Sequence, residues 1–597
     1  MVAKKPVKTL RELCLKAIPT LVTTHIRKMA SKSSALQWYS ILDGDMEVNR
    51  DHLLQAQVKL SQKCINEQII WYDYEDVFKA LLKGVEEAIT KTRKLWNPAG
   101  DMAQYRQEME ATSSFTDLVL LPMLRRLDFR YIPKSLRSRV VDRFETYSEL
   151  RELILGTGQG GQWLFKGMIP GLIRGLKVMT KLERFTCKHD CTVELVAILS
   201  ETCAKTLKVL DVENSKGVTN KAAPYIMLMS NVEELNLFNT PMDDESKARI
   251  LISLPNLTNL VRGDFLCEAL GWIDYLEEVD APQFLLTDFF PSQSYYFHEE
   301  WQMEMVGRMC PYMATMYFIF HESCVPDYLV LATFEYLTEL DLYGGSFYKD
   351  KVKDLLSLRG FHLKRLNLIA MSQVDYGALA HISQTCPDLI RLGLNNCDLG
   401  HYRPVSDPNS DEEYERRQRF VIMAKEAHEA MRDLVHIEEI ALQSPCRAIY
   451  FTFLLSRCAH VRRVHLGRNS DVGDEAMLKV YVQHGWTHLE EFHCEKSDHL
   501  TVNTLQLLTH QCGQIRAISD IQAWSAVLPT QVGQFRESSF RQNWDLDTSS
   551  HQKLRKYLEM RDFERKAYVN RIAGPTMERI RRAQQDRWQR QHQPHEI

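Results

Sequence analysis

Between Leu337 and Cys397 the chain reads LTELDL, LKRLNL and LIRLGL, three copies of L-x-x-L-x-L that open at Leu337, Leu363 and Leu389, 26 residues apart each time. Such a short alternating run reads as a strand, because every second side chain turns to the same side. The stretch before the third copy, ALAHISQTCPD, has apolar residues at helical spacing and stops at Cys386-Pro387. One strand and one helix cannot bury their own apolar faces, so units of this kind must stack on one another.

A period of roughly 20–29 residues with this pattern is the signature of a leucine-rich repeat. Earlier copies open at Leu124, Leu150, Leu182, Leu207, Val232, Leu257, Leu276 and Met313, and later ones at Ile437, Val461, Leu489 and Ile515, about fifteen units in all. The expected fold is an α/β leucine-rich-repeat solenoid, curved, with parallel strands on the concave face, helices on the convex face and a helical N-terminal cap. The expected division is residues 1–30 as a separate box, 31–115 as the cap, 116–535 as the solenoid and 536–597 as a C-terminal seal with a basic helical tail. In the cap, Val77, Leu81, Val85 and Ile89 have helical spacing. Pro19 is expected to break the helix before it. Glycines at 156–161 lengthen the second unit, PSQSYYFHEEW swells the unit after Leu276, and 48 residues separate Leu389 from Ile437. That long step reads as a polar loop over 401–420 followed by a helix from Val421. Trp524 and Leu528 are expected to cover the last repeat. From His551 on there are 12 Lys and Arg against 6 Asp and Glu, a basic stretch that reads as a solvated helix.

A repeat array explains how 597 residues can fold without one oversized core. Apolar residues make up 45% and charged residues 25%, with a net charge of −4. This balance gives no electrostatic case for nucleic acid. No apolar run is long enough for a membrane helix, and the N-terminus lacks the apolar core of a secretory signal. Cys203, Cys310, Cys386, Cys458 and Cys512 each end a helical stretch just before a strand, which makes them small buried packing residues. They are expected to be reduced, in the cytosol or nucleus. No C-x-x-C pair occurs, so zinc is not expected.

No cofactor or catalytic constellation is legible. Phosphate loops, H-E-x-x-H, G-x-S-x-G and kinase signatures are absent from the sequence. His493 and Cys494 are neighbours on a strand and so point to opposite faces, with Cys494 in the core. The chain therefore reads as a non-catalytic binding protein. Binding is expected on the strand face, where the residues flanking the last two leucines emerge. These include Arg126, Asp128, Arg184, Asp211, Glu234, Asn236, Glu339, Asp341, Arg365, Asn367, Arg391, Arg463, His465, Glu491 and His493, with Phe238 and Tyr343 just after their strands. The mixed signs suit a protein ligand, with Glu339, Asp341, Tyr343, Arg365, Asn367 and Arg391 as its centre.

Residues 9–18, TLRELCLKAI, put Leu10, Cys14 and Ile18 on one helical face. Thr9, Leu10, Cys14 and Ile18 fill every fixed position of a pattern that resembles the elongin-C-binding BC-box, T/S-L-x-x-x-C-x-x-x-aliphatic. The resemblance implies that Leu10 enters a pocket on elongin C and that Cys14 must stay small. Ile18, Pro19, Val22 and Ile26 resemble a cullin box, which in that family lies further downstream. The same residues also resemble the opening of an F-box, which binds a Skp-type adaptor, with Trp38 as its late tryptophan. An adaptor box followed by cysteine-type leucine-rich repeats resembles the substrate receptors of cullin-RING ubiquitin ligases. That likeness implies elongin B/C and a cullin as partners and a protein substrate on the concave face. The alternatives are an F-box-like receptor and a leucine-rich-repeat scaffold with no ubiquitin role.

Overall fold

The computed structural model describes residues 10–43, 58–63, 74–94, 115–156, 166–263, 265–276, 282–289, 300–319, 327–397, 411–443, 447–468 and 470–541, with isolated positions at 55, 56, 67, 109 and 546. The chain divides into two units, one from Val7 to Leu286 and the other from Thr287 on. The first contains β1 (Arg126–Asp128), β2 (Glu152–Leu155), β3 (Arg184–Cys187), β4 (Val209–Asp211), β5 (Glu234–Asn236) and β6 (Asn259–Leu260), each parallel to the next. The second contains β7 (Asp288–Phe289), β8 (Thr315–Ile319), β9 (Glu339–Tyr343), β10 (Arg365–Ile369), β11 (Arg391–Asn395), β12 (Glu439–Leu442), β13 (Arg463–Leu466), β14 (Glu491–Cys494) and β15 (Ala517–Ser519), again all parallel. In each unit the order in space is the order in the chain, and most connections carry a helix. This is an α/β leucine-rich-repeat solenoid.

The register follows the motif position by position. Glu339 pairs with Arg365, and Arg365 with Arg391, so equivalent positions of successive copies lie side by side. All nine leucines of the three central motifs are at most 1% exposed. Burying each stabilises the fold by about 1.5–3 kcal/mol, which no single repeat could gain alone. The helix Tyr376–Thr385 shows how a unit closes. Asp375 accepts a hydrogen bond from the Ala378 amide at 2.9 Å, capping the N-terminus. Leu379 and Ile382 turn inward, and the helix ends at Cys386. Cys203, Cys310, Cys386, Cys458 and Cys512 are all fully buried. Burial pushes the Cys386 and Cys512 thiols up to about 12. Packing here is tight: a Cβ on Gly360 would meet the Thr385 carbonyl oxygen at 2.7 Å and Cys386 Sγ at 2.9 Å.

Four expectations need correction. Leu276 does not open a strand; it ends the helix Leu266–Leu276, whose buried Leu266, Ala269, Leu270 and Ile273 hold it against the core. The strand comes later, as β7, with buried Leu286 and Phe289 in the leucine positions. Placed there, the steps from Leu257 and on to Met313 become 29 and 27 residues, so neither is irregular. The polar stretch 401–420 is not all loop, because the helix Asp411–Ala430 begins within it. Pro19 does not break the N-terminal helix, which runs unbroken from Leu10 to Asp43. Finally, Trp524 is fully buried, but Leu528 is 59% exposed; Val527 and Val532 are the buried residues there. The residues after Gly156 in the second repeat's glycine stretch, those at 291–299 and the basic tail from 551 lie outside the described residues.

Side-chain bonds between repeats reinforce the stack. Asp474, in the first turn of the helix Asp474–His484, accepts hydrogen bonds from the Thr501 amide (3.0 Å), Thr501 Oγ1 (2.5 Å), Thr504 Oγ1 (2.6 Å) and Asn503 Nδ2 (3.2 Å). Burial alone would raise its pKa, but these donors outweigh burial and hold the carboxyl below the usual carboxylate range. Asp474→Ala should therefore lower stability by about 1–3 kcal/mol at neutral pH, since it strands the Thr504 and Thr501 donors. The stability due to a depressed carboxyl pKa is present above its unfolded-state value and is lost as pH falls through the folded-state value. Urea unfolding of both proteins at neutral and strongly acidic pH should show a gap that narrows in acid. A gap of constant size would contradict this account.

Candidate protein-binding sites

The two variable residues at the start of each strand emerge on the strand face, and in many neighbouring repeats they carry opposite charges, although Arg365 and Arg391 lie side by side. In the first unit Arg126 meets Glu152 at 3.1 Å, and Arg184 reaches Glu152 at 3.9 Å and Glu234 at 3.5 Å. In the second, Arg365 meets Glu339 at 2.9 Å, Arg391 meets Glu439 at 3.6 Å, and Arg463 meets Glu439 at 3.1 Å. One position earlier, Arg462 lies between Glu438 (3.5 Å) and Glu490 (2.6 Å). A half-exposed cross-strand pair such as Arg365–Glu339 contributes only about 0.2–1 kcal/mol. Its larger effect is to cancel charge locally.

Two residues further on, the next side chain on the same face is buried in several strands, against expectation. Asp128, Asp211, Asn236, Asp341, His465 and His493 are buried, so they are not available to a partner as they stand. Parallel pairing at matched register presses each against its equivalent in the next repeat. The rings of His465 and His493 stack with centroids 4.6 Å apart and planes 11° apart. His493 Nδ1 lies 2.8 Å from Ser519 Oγ, and its Nε2 lies 3.0 Å from Glu491. That contact with His493 holds the Glu491 carboxyl below its ordinary range. Asp341 lies 3.4 Å from Arg365, and Asn395 donates to Asn367 at 2.8 Å. Arg391 is exposed, while Glu339, Tyr343, Arg365, Asn367 and Phe238 are half-buried. Cys494 is fully buried on the opposite side of the strand from His493. Among the described residues no three metal-ligating side chains converge, and no helix is long and apolar enough to cross a membrane.

A polar cluster that the motif alone does not reveal sits past the ends of β3–β6. Glu213, 5% exposed, receives Lys188 Nζ at 2.6 Å, Asn236 Nδ2 at 3.3 Å and Arg262 Nη2 at 3.4 Å. Lys188 also reaches Asp211 at 3.2 Å, and the Arg262 guanidinium lies 4.7 Å above the Phe238 ring. Burial raises the Asp211 pKa despite Lys188. Burial acts likewise on Glu213, but there the charges of Arg262 and Lys188 prevail and lower it. Lys188 and Glu213 fall just outside the L-x-x-L-x-L span and Arg262 takes the last leucine position of its copy; the signal that could have found them is charge recurring at and just after the ends of successive strands.

At the N-terminus, the helix Leu10–Asp43 packs on the helix Tyr74–Lys94, whose Val77, Leu81, Val85 and Ile89 are buried as their spacing predicts. The contact runs through the Pro19–Ile26 segment. Pro19, Thr23 and Ile26 are buried, Val22 is half-buried, and Thr23 Oγ1 donates to the carbonyls of Pro19 (2.7 Å) and Gly84 (3.0 Å). Cys14 is exposed, Leu13 is 50% exposed and Ile18 is half-buried. The box residues therefore divide, with Cys14 toward solvent and Pro19 and Ile26 toward the cap. Thr9 and the side chains of Leu10 and Trp38 lie outside the described residues.

No family model matches the chain, and no curated protein matches it. Solved structures similar to it include a leucine-rich-repeat protein of Leptospira interrogans, at 12% identity over 72% of this chain and 92% of that one, with a TM-score of 0.25. Another is a complex of Rad7 and Elc1 from yeast, at 10% identity over 75% and 94%, with a TM-score of 0.30. The fold rests on the strand register, not on these likenesses.

Gly84 sets how closely the two cap helices approach. A Cβ there would meet Val22 Cβ at 2.8 Å and the Pro19 carbonyl oxygen at 3.0 Å. Gly84→Val should force the helices apart at a cost of about 1–3 kcal/mol. A thermal or urea unfolding curve measures this, and an unchanged midpoint would contradict the packing.

Proposed function

We propose that this chain is the substrate-holding subunit of a cullin-RING ubiquitin ligase. An elongin-C-type adaptor docks on the first turns of the Leu10–Asp43 helix, with elongin B and a cullin completing the assembly. The target protein lies on the strand face. The observation that carries the reading is the division of the box. The fixed positions Thr9, Leu10, Cys14 and Ile18 precede the segment that anchors the helix, and Cys14 faces solvent beside a half-exposed Leu13. The anchoring segment, Pro19 to Ile26, is occupied with the cap. An F-box-like use of Pro19 and Val22 would first have to undock the helix, which makes the Skp-type adaptor the weaker choice. On the strand face, cancelled charge and half-buried Glu339, Arg365, Asn367 and Tyr343 suit a protein surface of mixed sign. Asp341 supports Arg365 from below, and Arg391 is the most accessible cation of the group.

The test pairs a pulldown with a melting curve. The unaltered chain should retain elongin C, and a Leu10→Ala, Cys14→Phe double change should abolish this. Truncating a leucine anchor costs about 1.5–3 kcal/mol of apolar transfer, a loss of roughly ten- to hundredfold in affinity. Phenylalanine at 14 adds bulk where the helix must approach its partner closely. Because Cys14 is exposed, the melting temperature should not move. Capture of a Skp-type adaptor, sensitive to Val22 and not to Leu10, would replace this reading with the F-box-like one. Failure to retain either adaptor would leave a scaffold without a ubiquitin role.

A further inference from the structure

In the unit from Thr287 on, one further row runs across the strands. It is formed by the residue just before the first leucine position of each repeat. Its members are Tyr312, Tyr336, His362, His436, His460 and His488, all exposed. Asp388, between His362 and His436, supplies the row's one formal charge. The fold does not require such residues, because the same position in the first unit holds Glu149, Lys181, Thr206, Asn231 and Asn256. Rings from adjacent repeats lie together along the row: Tyr312 and Tyr336 have centroids 5.7 Å apart, and His460 and His488 5.1 Å. Phe361, 48% exposed, adds a ring 4.0 Å from His362.

We infer that this edge is a docking surface for an extended, proline-rich segment of a partner protein in the polyproline II conformation. Three observations select that occupant. First, the strand-entry carbonyls two residues along from the row have no capacity left for an added strand. The carbonyls of Thr338, Lys364, Ile390, Glu438 and Arg462 each already accept two amides from the next repeat. A partner along the row therefore gains no main-chain ladder from these carbonyls. Second, the row presents phenol and imidazole groups, which can donate hydrogen bonds from beside flat ring faces. A helix has spent its carbonyls internally and seeks an aliphatic groove, whereas a polyproline II segment keeps its carbonyls free and packs its proline rings on aromatic faces. Third, the row is almost uncharged in a chain that is 25% charged, so it complements a neutral segment better than an acidic one. Six strand spacings from β8 to β14 span roughly 30 Å, the length of about nine residues in that conformation.

The experiment is fluorescence anisotropy with the full chain and fluorescein-labelled decapeptides of Pro-Pro-x repeats, where x is Leu, Tyr or Arg, beside a decaglutamate. At least one proline-rich peptide should bind saturably, and decaglutamate should not. Tyr312→Ala with Tyr336→Ala, and separately His460→Ala with His488→Ala, should each weaken binding by about tenfold or more. Lys181→Ala, at the equivalent position of the other unit, should leave it unchanged. Circular-dichroism melting identifies any variant that fails to fold, in which case the other pair decides. Absence of binding by every proline-rich peptide up to about 1 mM, binding indifferent to both double changes, or equal binding of decaglutamate would each overturn the inference. None of these outcomes bears on adaptor docking at the N-terminal helix.

Discussion

The structure depends on one repeated hydrogen-bonding arrangement. At the entry to most strands a single carbonyl accepts two amides from the following repeat. The Arg125 oxygen receives Arg151 and Glu152 at 2.8 and 2.9 Å, the Lys364 oxygen receives Ile390 and Arg391 at 2.8 and 3.0 Å, and the Glu438 oxygen receives Arg462 and Arg463 at 2.8 and 2.9 Å. This geometry fixes which residue of one repeat lies beside which residue of the next. Because side chains alternate along a strand, a slip of one residue would turn every leucine outward. The leucine core and the lateral ladder thus specify the same register.

Matched register explains what happens to polar side chains on the strand face. Every residue there has its equivalent in the next repeat as an immediate neighbour. The sequence uses this by alternating sign: Glu438 and Glu439, then Arg462 and Arg463, then Glu490 and Glu491. Like charges side by side would be destabilising, and opposite ones pair. The same proximity makes imidazoles stack at His465 and His493, and lets Asn395 bond diagonally to Asn367, whose own register partner is Gly393. A face that looks strongly charged in sequence is therefore largely neutral as a surface. Few of its charged groups are left accessible, Arg391 among them.

The N-terminal helix follows a separate logic. It is held by a close approach at Gly84, and its holding segment coincides with part of the box pattern. One short sequence therefore supports two roles, docking on the chain's own cap and presenting a surface outward. Only the partition of side chains between the two faces separates them.

The sequence by itself determined the repeat, the buried leucines and helix-terminal cysteines, and the cap helix around Val77 to Ile89, because spacing alone decides which side chains share a face. It also contained the alternation of charge, although pairing was not legible until the register was known. Tertiary structure decided the rest. LEEVDA fits the strand pattern as well as LTDFFP from Leu286 does, but the helix ending at Leu276 buries its apolar face and delays the strand to Asp288. Pro19 stays within a helix because its neighbours pack on a second helix and the Pro19 carbonyl is engaged by Thr23. Asp128, Asp211, Asn236, Asp341, His465 and His493 emerge on the strand face by periodicity alone, yet they are buried, because what covers a side chain on a sheet is its neighbour in the next strand. That neighbour lies some 25 residues away along the chain, and only the stacked register brings the two together.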